Sequence, residues 1–165
     1  MAEHPVRPPR TVLVVDDSDD DVLLLSMTLQ QAQLPWLIAA SLHDGEQAIQ
    51  WLQKNYHGSS APTHEIDLLL IDLKMPRRDG FDVLQWVQKN LPGRFTMVVF
   101  SSSFAAADVM RARESGADFY FVKPVLTDDR KKILLNLERL LSSDGTEYGQ
   151  AGGHFESVLE SVLAP

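Results

Sequence analysis

Asp16 and Asp17 stand side by side. Asp72 lies within Ile71-Asp72-Leu73-Lys74-Met75-Pro76, Ser101 opens a run of three serines, and Lys123 precedes Pro124. Two carboxylates ~4 Å apart repel by about 4 kcal/mol at an effective dielectric of 20, so three brought together call for a cation or a proton. Lys123 offers one fixed positive charge. Oxygen donors without histidine or cysteine favour a hard divalent ion, Mg²⁺ first, with Mn²⁺ or Ca²⁺ able to substitute. A Mg²⁺ held by few protein groups keeps water positions that a phosphoryl oxygen can take. The chemistry pointed to is phosphoryl chemistry, with carboxylates holding the metal and a lysine and a hydroxyl reading phosphate oxygens.

These residues are far apart in sequence, so the fold must assemble them. Short apolar runs at Val12–Val15, Trp36–Ala40, Ile66–Ile71, Met97–Phe100 and Phe119–Val122 read as strands. Most are continuously apolar, the pattern of strands buried on both faces of a parallel sheet. Helical stripes lie between and after them: Val22, Leu25 and Leu29; Ala48, Ile49 and Leu52; Val83, Leu84 and Val87; Ala106, Val109 and Met110; and Ile133, Leu134, Leu137, Leu140 and Leu141. Gly116 gives the fourth helix its stop. Five βα repeats with right-handed crossovers predict an α/β doubly wound sheet, flavodoxin-like, of strand order 2-1-3-4-5. In such sheets ligands bind beyond the carboxyl ends of the strands, where Asp16, Asp17, Asp72, Ser101 and Lys123 all fall. Ser18 with Asp21 resembles a helix-capping arrangement, and Asp19, Asp20 and Asp21 read as acids favouring a helix N-terminus.

The 165 residues suggest one domain, 44% hydrophobic and without cysteine. Disulfides, zinc–thiolate sites, iron–sulfur clusters and thiol catalysis are thereby excluded, and a reducing cytoplasm suits the composition. The net charge of −8 argues against nucleic-acid binding through a basic surface. That charge sits at the ends: residues 1–22 hold six acids and two bases, and residues 142–165 hold four acids and no base. The proline-rich start lacks the apolar stretch of a signal peptide. A membrane helix needs ~18 consecutive apolar residues, and the longest run is Trp36 to Ala40. The expected organisation is a flexible arm at 1–10, a folded domain at 11–141, and a linker with a short amphipathic tail helix at 142–165.

The motifs together resemble the receiver domain of two-component response regulators. Val-Val-Asp16-Asp17 is similar to the family's acidic pair. Ile71-Asp72-Leu73-Lys74-Met75-Pro76, with Gly80 eight residues after Asp72, is similar to its phosphoacceptor segment. Ser101 stands where the family carries Ser or Thr, and Gly116-Ala117-Asp118-Phe119-Tyr120-Phe121-Val122-Lys123-Pro124 is similar to its fifth-strand signature. The resemblance implies that Asp72 accepts a phosphoryl group from a histidine-kinase phosphohistidine. It implies Mg²⁺ on Asp17, Asp72 and the Lys74 backbone carbonyl, with Asp16 helping directly or through water. Lys123 would pair with a phosphoryl oxygen, Ser101 would swing toward it, and Tyr120 would follow inward as a switch. A cis Lys123–Pro124 bond is implied as well. No enzymatic turnover is expected beyond the domain's own phosphoryl transfer and slow autodephosphorylation.

Arg77 and Arg78 place two cations in the loop after Asp72 and are candidate contacts for the kinase or a partner subunit, a solvated loop being the plainer alternative. Tyr56 to Glu65 forms a long polar connection, similar to that of stand-alone receivers associated with phytochrome-type histidine kinases; a bacteriophytochrome is accordingly a candidate partner. No effector domain fits after Leu141. Phe155, Val158, Leu159, Val162 and Leu163 form a helical stripe that needs docking, on its own domain or in a homodimer, because a helix of ~12–15 residues or fewer is marginal alone.

Three rival functions share parts of this pattern. A haloacid-dehalogenase-type phosphatase needs Asp-x-Asp-x-Thr/Val after strand 1, and Asp17-Ser18-Asp19-Asp20-Asp21 misses its last position. A pseudo-receiver would not need the full set of Asp16, Asp17, Asp72, Ser101 and Lys123. A flavin carrier would meet repulsion from the aspartates after strand 1.

Overall fold

In a computed structural model, residues 8–56, 61, 62, 64–142 and 151–164 are described. The first seven residues of the expected arm, residues 143–150 of the linker, and positions 57–60 and 63 of the long loop lie outside them. Five strands, β1 (Arg10–Val15), β2 (Trp36–Leu42), β3 (Leu68–Ile71), β4 (Thr96–Ser101) and β5 (Phe119–Val122), pair in parallel in the order 2-1-3-4-5. The expected doubly wound sheet is therefore the fold. Between and after the strands run α1 (Asp19–Gln31), α2 (Gly45–Asn55), α3 (Gly80–Asn90), α4 (Ala106–Glu114), α5 (Thr127–Ser142) and α6 (Ala151–Leu163).

The two faces of the sheet make two cores. On one face Leu13, Val15, Leu69, Ile71, Val99 and Tyr120 meet α2, α3 and α4. On the other Val12, Val14, Leu68, Leu70, Val98 and Phe100 meet α1 and α5. The alternation along each central strand explains its unbroken apolar run, since successive residues point to opposite faces and both faces are covered. The edge strand β2 departs from that pattern and is only partly buried.

Some boundaries and faces differ from expectation. Ile66 is buried but precedes β3, because Asp67 uses its carboxylate and carbonyl to cap the neighbouring strands, accepting from Thr11 N–H at 2.7 Å and Thr96 N–H at 3.0 Å. Met110 was expected on the core face of α4 and is half exposed; Val109 and Ala112 form that face instead. In a nine-residue helix one residue of phase decides the side, and the pattern of Ala106, Val109 and Met110 leaves it ambiguous. Lys123–Pro124 is trans, against the expectation from the resemblance. Trans is the lower-energy isomer of an X–Pro bond by about 0.5–1 kcal/mol.

The tail helix α6 docks on its own domain, against β5 and α4. Phe155 is fully buried in the core that also holds Tyr120, Val109 and Ala112, with Val158 and Leu159 packed at its margin. Val162 is half-buried and Leu163 exposed. Beside Phe155, the His154 ring sits between Phe119 and Phe121 with its Nε2 3.2 Å from the Tyr120 amide nitrogen and 2.8 Å from the Tyr120 carbonyl oxygen. The imidazole thus occupies the open hydrogen-bonding side of the edge strand.

Burial pushes the His154 pKa down, and the Tyr120 hydrogen bond opposes this only in part. A histidine with a depressed docked pKa favours docking fully above its free value, near pH 6.5, and loses that contribution as pH falls through the docked value. Acidification from pH 7.5 to 5 should therefore loosen α6, read as a lower hydrogen-exchange protection factor at the Tyr120 amide, the observed rate being divided by the intrinsic rate at each pH. His154→Gln should abolish this pH dependence. Phe155→Ala should release the tail to protease while leaving the five-stranded core folded.

Candidate functional site

The site is built at the carboxyl ends of the two central strands. Val15 pairs with Ile71, so Asp16 and Asp72 leave adjacent strands at the same level. Backbone bonds fix the exits: Asp72 N–H donates to the Val15 carbonyl at 2.9 Å and Asp16 N–H to the Leu42 carbonyl at 2.9 Å. Asp16 and Asp72 are buried and Asp17 exposed, and one carboxylate oxygen from each lies within 4.8 Å of the others. Lys74 follows in the β3–α3 loop, its N–H 3.4 Å from Asp72 Oδ1. Gly80 closes that loop by donating to the Leu73 carbonyl at 3.0 Å. A Cβ on Gly80 would stand 2.3 Å from the Asp72 carbonyl oxygen, so glycine is required by this close approach.

Lys123 enters from the end of β5, where its N–H donates to the Ser101 carbonyl at 2.8 Å. Its buried ammonium donates to Asp16 Oδ2 at 2.7 Å, Asp21 Oδ2 at 2.8 Å and Asp72 Oδ2 at 3.2 Å. Burial disfavours that charge, but hydrogen bonds to Asp16 and Asp21 and the field of Asp72 outweigh it and hold the Lys123 pKa above the ordinary lysine value. Burial lifts the Asp16 carboxyl, with Lys123 opposing. Asp21 is held below the usual carboxylate range because Lys123 and Arg130 outweigh its partial burial.

Ser101 is fully buried, and its Oγ accepts from Ser103 N–H at 3.4 Å. Tyr120 is directed inward and fully buried, its hydroxyl donating to the Ser103 carbonyl at 2.8 Å. Burial raises its pKa to about 12, so it remains a hydrogen-bond donor at any physiological pH. Arg77 and Arg78 are tied to the start of α2. Arg77, at φ +64°, pairs with the buried carboxylate of Asp44, and Arg78 pairs with Glu46 at 2.8 Å. Gly45 N–H donates to the Arg78 carbonyl at 3.1 Å, which draws the loop after Asp72 against α2. The candidate tail contacts Phe155, Val158, Leu159, Val162 and Leu163 lie on α6, away from the acids.

Two residues of the site went unrecognised in the sequence. Asp21 was read as a helix-start acid, and its N–H does bond Ser18 Oγ at 3.2 Å; its carboxylate also holds Lys123. Arg130 lies in α5 with its side chain buried and its Nη2 3.5 Å from Asp21 Oδ1. A basic residue near a helix start runs against the helix dipole, and that was the available signal.

The sequence pattern of the response regulator receiver domain matches residues 12–138. The chain belongs to that family. Its role is accordingly that of a phosphoacceptor domain of two-component response regulators. Rcp1, a response regulator of Synechocystis, is 30% identical over 134 residues, which cover 79% of this chain and 88% of that protein. The transcriptional regulatory protein PdtaR of Mycobacterium tuberculosis is 30% identical over 122 residues, 73% of this chain. The chain spans about half the length of PdtaR, 53%. The crystal structure of the phosphorylated cyanobacterial phytochrome response regulator RcpA superposes with a TM-score of 0.69 at 25% identity, covering 84% of this chain and 97% of that one. A Mn²⁺-bound structure of Rcp1 superposes with a TM-score of 0.67 at 28% identity, covering 82% and 97%.

The receiver's donor set fits a divalent metal. Three clustered carboxylates with no nitrogen or sulfur ligand make a site for a hard cation. Among the described residues no helix is long and apolar enough to cross a membrane.

The β3–α3 loop of this receiver depends on Asp44, which accepts from Gln47 N–H at 2.8 Å as the cap of α2 and also pairs with Arg77. Asp44→Ala should cost about 1–2 kcal/mol, near the upper end for a lost cap, while Asp44→Asn keeps the cap and loses only the charge. Burial alone would raise the Asp44 pKa, but the Gln47 N–H and Arg77 hold it low. Its contribution is therefore present above about pH 4 and lost as pH falls through the folded value. Urea melts of the two variants at pH 7 and pH 3 check this.

Proposed function

We propose that Asp72 is the phosphoacceptor and that a sensor histidine kinase is the donor. The observation that carries this reading is the Lys123 ammonium lying within hydrogen-bonding reach of Asp72, with Asp16 and Asp17 beside it. In the transfer an Asp72 carboxylate oxygen attacks phosphorus. The P–N bond to the phosphohistidine breaks, its electron pair stays on the imidazole nitrogen, and that nitrogen takes a proton. Asp16, Asp17, Asp72 and the Lys74 carbonyl would hold Mg²⁺, with Mn²⁺ or Ca²⁺ as substitutes, and the ion supplies charge neutralisation at the phosphoryl oxygens. Lys123 stabilises charge on one of those oxygens, and Ser101 donates a hydrogen bond to another. Tyr120 then reports the state through the Ser103 carbonyl that it already holds. The domain works as a switch read by binding and promotes only its own phosphoryl transfer and slow autodephosphorylation.

Similarity to Rcp1 and to a phytochrome response regulator supports a phytochrome-type histidine kinase as the partner, a bacteriophytochrome in a bacterial setting. Arg77 and Arg78 lie exposed in the loop that follows Asp72 and are the candidate contacts for the kinase in this reading. The absence of cysteine suits a cytoplasmic protein. Tail-mediated homodimerisation is supported by Leu163, which stays exposed at the end of an otherwise docked stripe.

With acetyl phosphate or a phosphoramidate and Mg²⁺, the chain should gain one base- and hydroxylamine-labile phosphoryl group by mass spectrometry. Asp72→Asn should gain none, and label persisting on that variant would refute the assignment. Deleting 146–165 should lower the solution mass from dimer to monomer by light scattering; an unchanged mass would remove the tail from the interface.

A further inference from the structure

Lys123 is committed before any phosphoryl group arrives. An ammonium has three donors, and Asp16, Asp21 and Asp72 stand as three acceptors around it. A phosphoryl group on Asp72 brings further acceptor oxygens, so one present partner must give way. Asp21 is the candidate: it sits on the first turn of α1, off the strand ends, and at 2.8 Å it is nearer Lys123 than Asp72 is.

Asp21 has a second cation waiting. The Arg130 side chain is only 6% exposed and touches Asp21 with Nη2 alone, at 3.5 Å. Its Nη1 is buried and meets no acceptor among the described residues. A guanidinium presents paired N–H groups that match a carboxylate two-to-two, and here a single long contact is made. A buried donor without an acceptor is unfavourable. The guanidinium carbon lies 5.3 Å from the centre of the Phe100 ring, which stations the group behind Asp21. A shift of Asp21 from Lys123 toward Arg130 would pair the orphaned donor and free a Lys123 hydrogen at once.

We propose that Asp21 is a shared carboxylate, passed from Lys123 to Arg130 when a phosphoryl group occupies Asp72, and that Arg130 is thereby a positioning residue for Lys123. This rests on the phosphoacceptor reading of Asp72. Arg130 touches neither the phosphoryl group nor the metal ligands in this account; it sets how readily Lys123 is released. The same movement tightens α1 against α5.

The test is beryllofluoride affinity in the presence of Mg²⁺, measured on the full chain and on Arg130→Gln, Asp21→Asn and the double variant. Arg130→Gln should weaken beryllofluoride binding about tenfold in the wild-type background, because Asp21 then holds Lys123 alone. In the Asp21→Asn background the same change should matter less than about twofold, the coupling expected of residues that act through one another. Mg²⁺ affinity without beryllofluoride should be equal in wild type and Arg130→Gln. An equal loss in both backgrounds would overturn the proposal, since Arg130 would then act by its field or by packing. No loss in the wild-type background would overturn it too. Arg130→Lys keeps the charge without the fork and serves if the glutamine variant does not fold; it should show the same dependence on Asp21. Failure of wild-type chain to bind beryllofluoride at all would instead remove the phosphoacceptor reading, and this inference with it.

Discussion

One ammonium group holds the functional edge of the sheet together. Four carboxylates, Asp16, Asp17, Asp21 and Asp72, converge on the ends of β1, β3 and the start of α1, and they repel one another. Lys123 meets three of them from β5, the outermost strand on that side. Its position follows from strand order: β4 carries Ser101 between the acids and the lysine, and Lys123 N–H bonds the Ser101 carbonyl. A buried ion cluster of this kind is weak evidence of stability, because desolvation offsets much of the attraction. Its value lies in specificity. Removing the lysine would leave buried like charges facing one another, so any new anion at the site must negotiate with the partners Lys123 already has.

What was legible in the sequence was whatever is written in one local pattern. The continuously apolar runs gave the parallel sheet, because central strands covered on both faces need no polar alternation. The strand-end positions of Asp16, Asp72, Ser101 and Lys123 followed once the topology was set. Asp21 shows where this stops. Its role as a first-turn acid is local and was readable; its bond to Lys123 spans 102 residues and appears only when α1 is rotated against β5. Arg130 was hidden for the same reason, since its partners Asp21 and Phe100 come from two other elements. Met110 failed differently, in a helix too short for its period to fix a face. The trans Lys123–Pro124 bond departs from the family expectation, as no single-residue pattern could have announced.

The tail answers a constraint that every open sheet has. Edge strands present unpaired N–H and C=O groups, and proteins cover, bend or charge them. Here β5 is covered on that side by α6, and the covering group is a histidine ring inserted between two phenylalanines. A short helix with an apolar stripe cannot persist unpacked, and the edge it covers cannot stay bare without inviting another strand. Each supplies what the other lacks. Among the described residues of the acidic end, Glu156 and Glu160 are exposed, which leaves the buried stripe apolar.

Tyr120 joins the two ends of this arrangement. Its hydroxyl holds the Ser103 carbonyl, two residues past Ser101, and its main-chain groups meet His154. Phe155 and Tyr120 also share one core. The segment that would read a phosphoryl oxygen and the helix that covers the edge strand therefore rest on the same residue. Packed interiors respond to displacement by switching between arrangements more readily than by deforming smoothly. A shift of Ser101–Ser103 toward the acids would pull on the Tyr120 hydroxyl, and the ring cannot move without altering the surface that Phe155 packs against. By reciprocity, any free energy that phosphorylation puts into the packing of α6 equals the bias that a partner of α6 places on the phosphate end. The acidic site and the tail thus meet at Tyr120, with Lys123 just past the end of β5 and His154 along its edge.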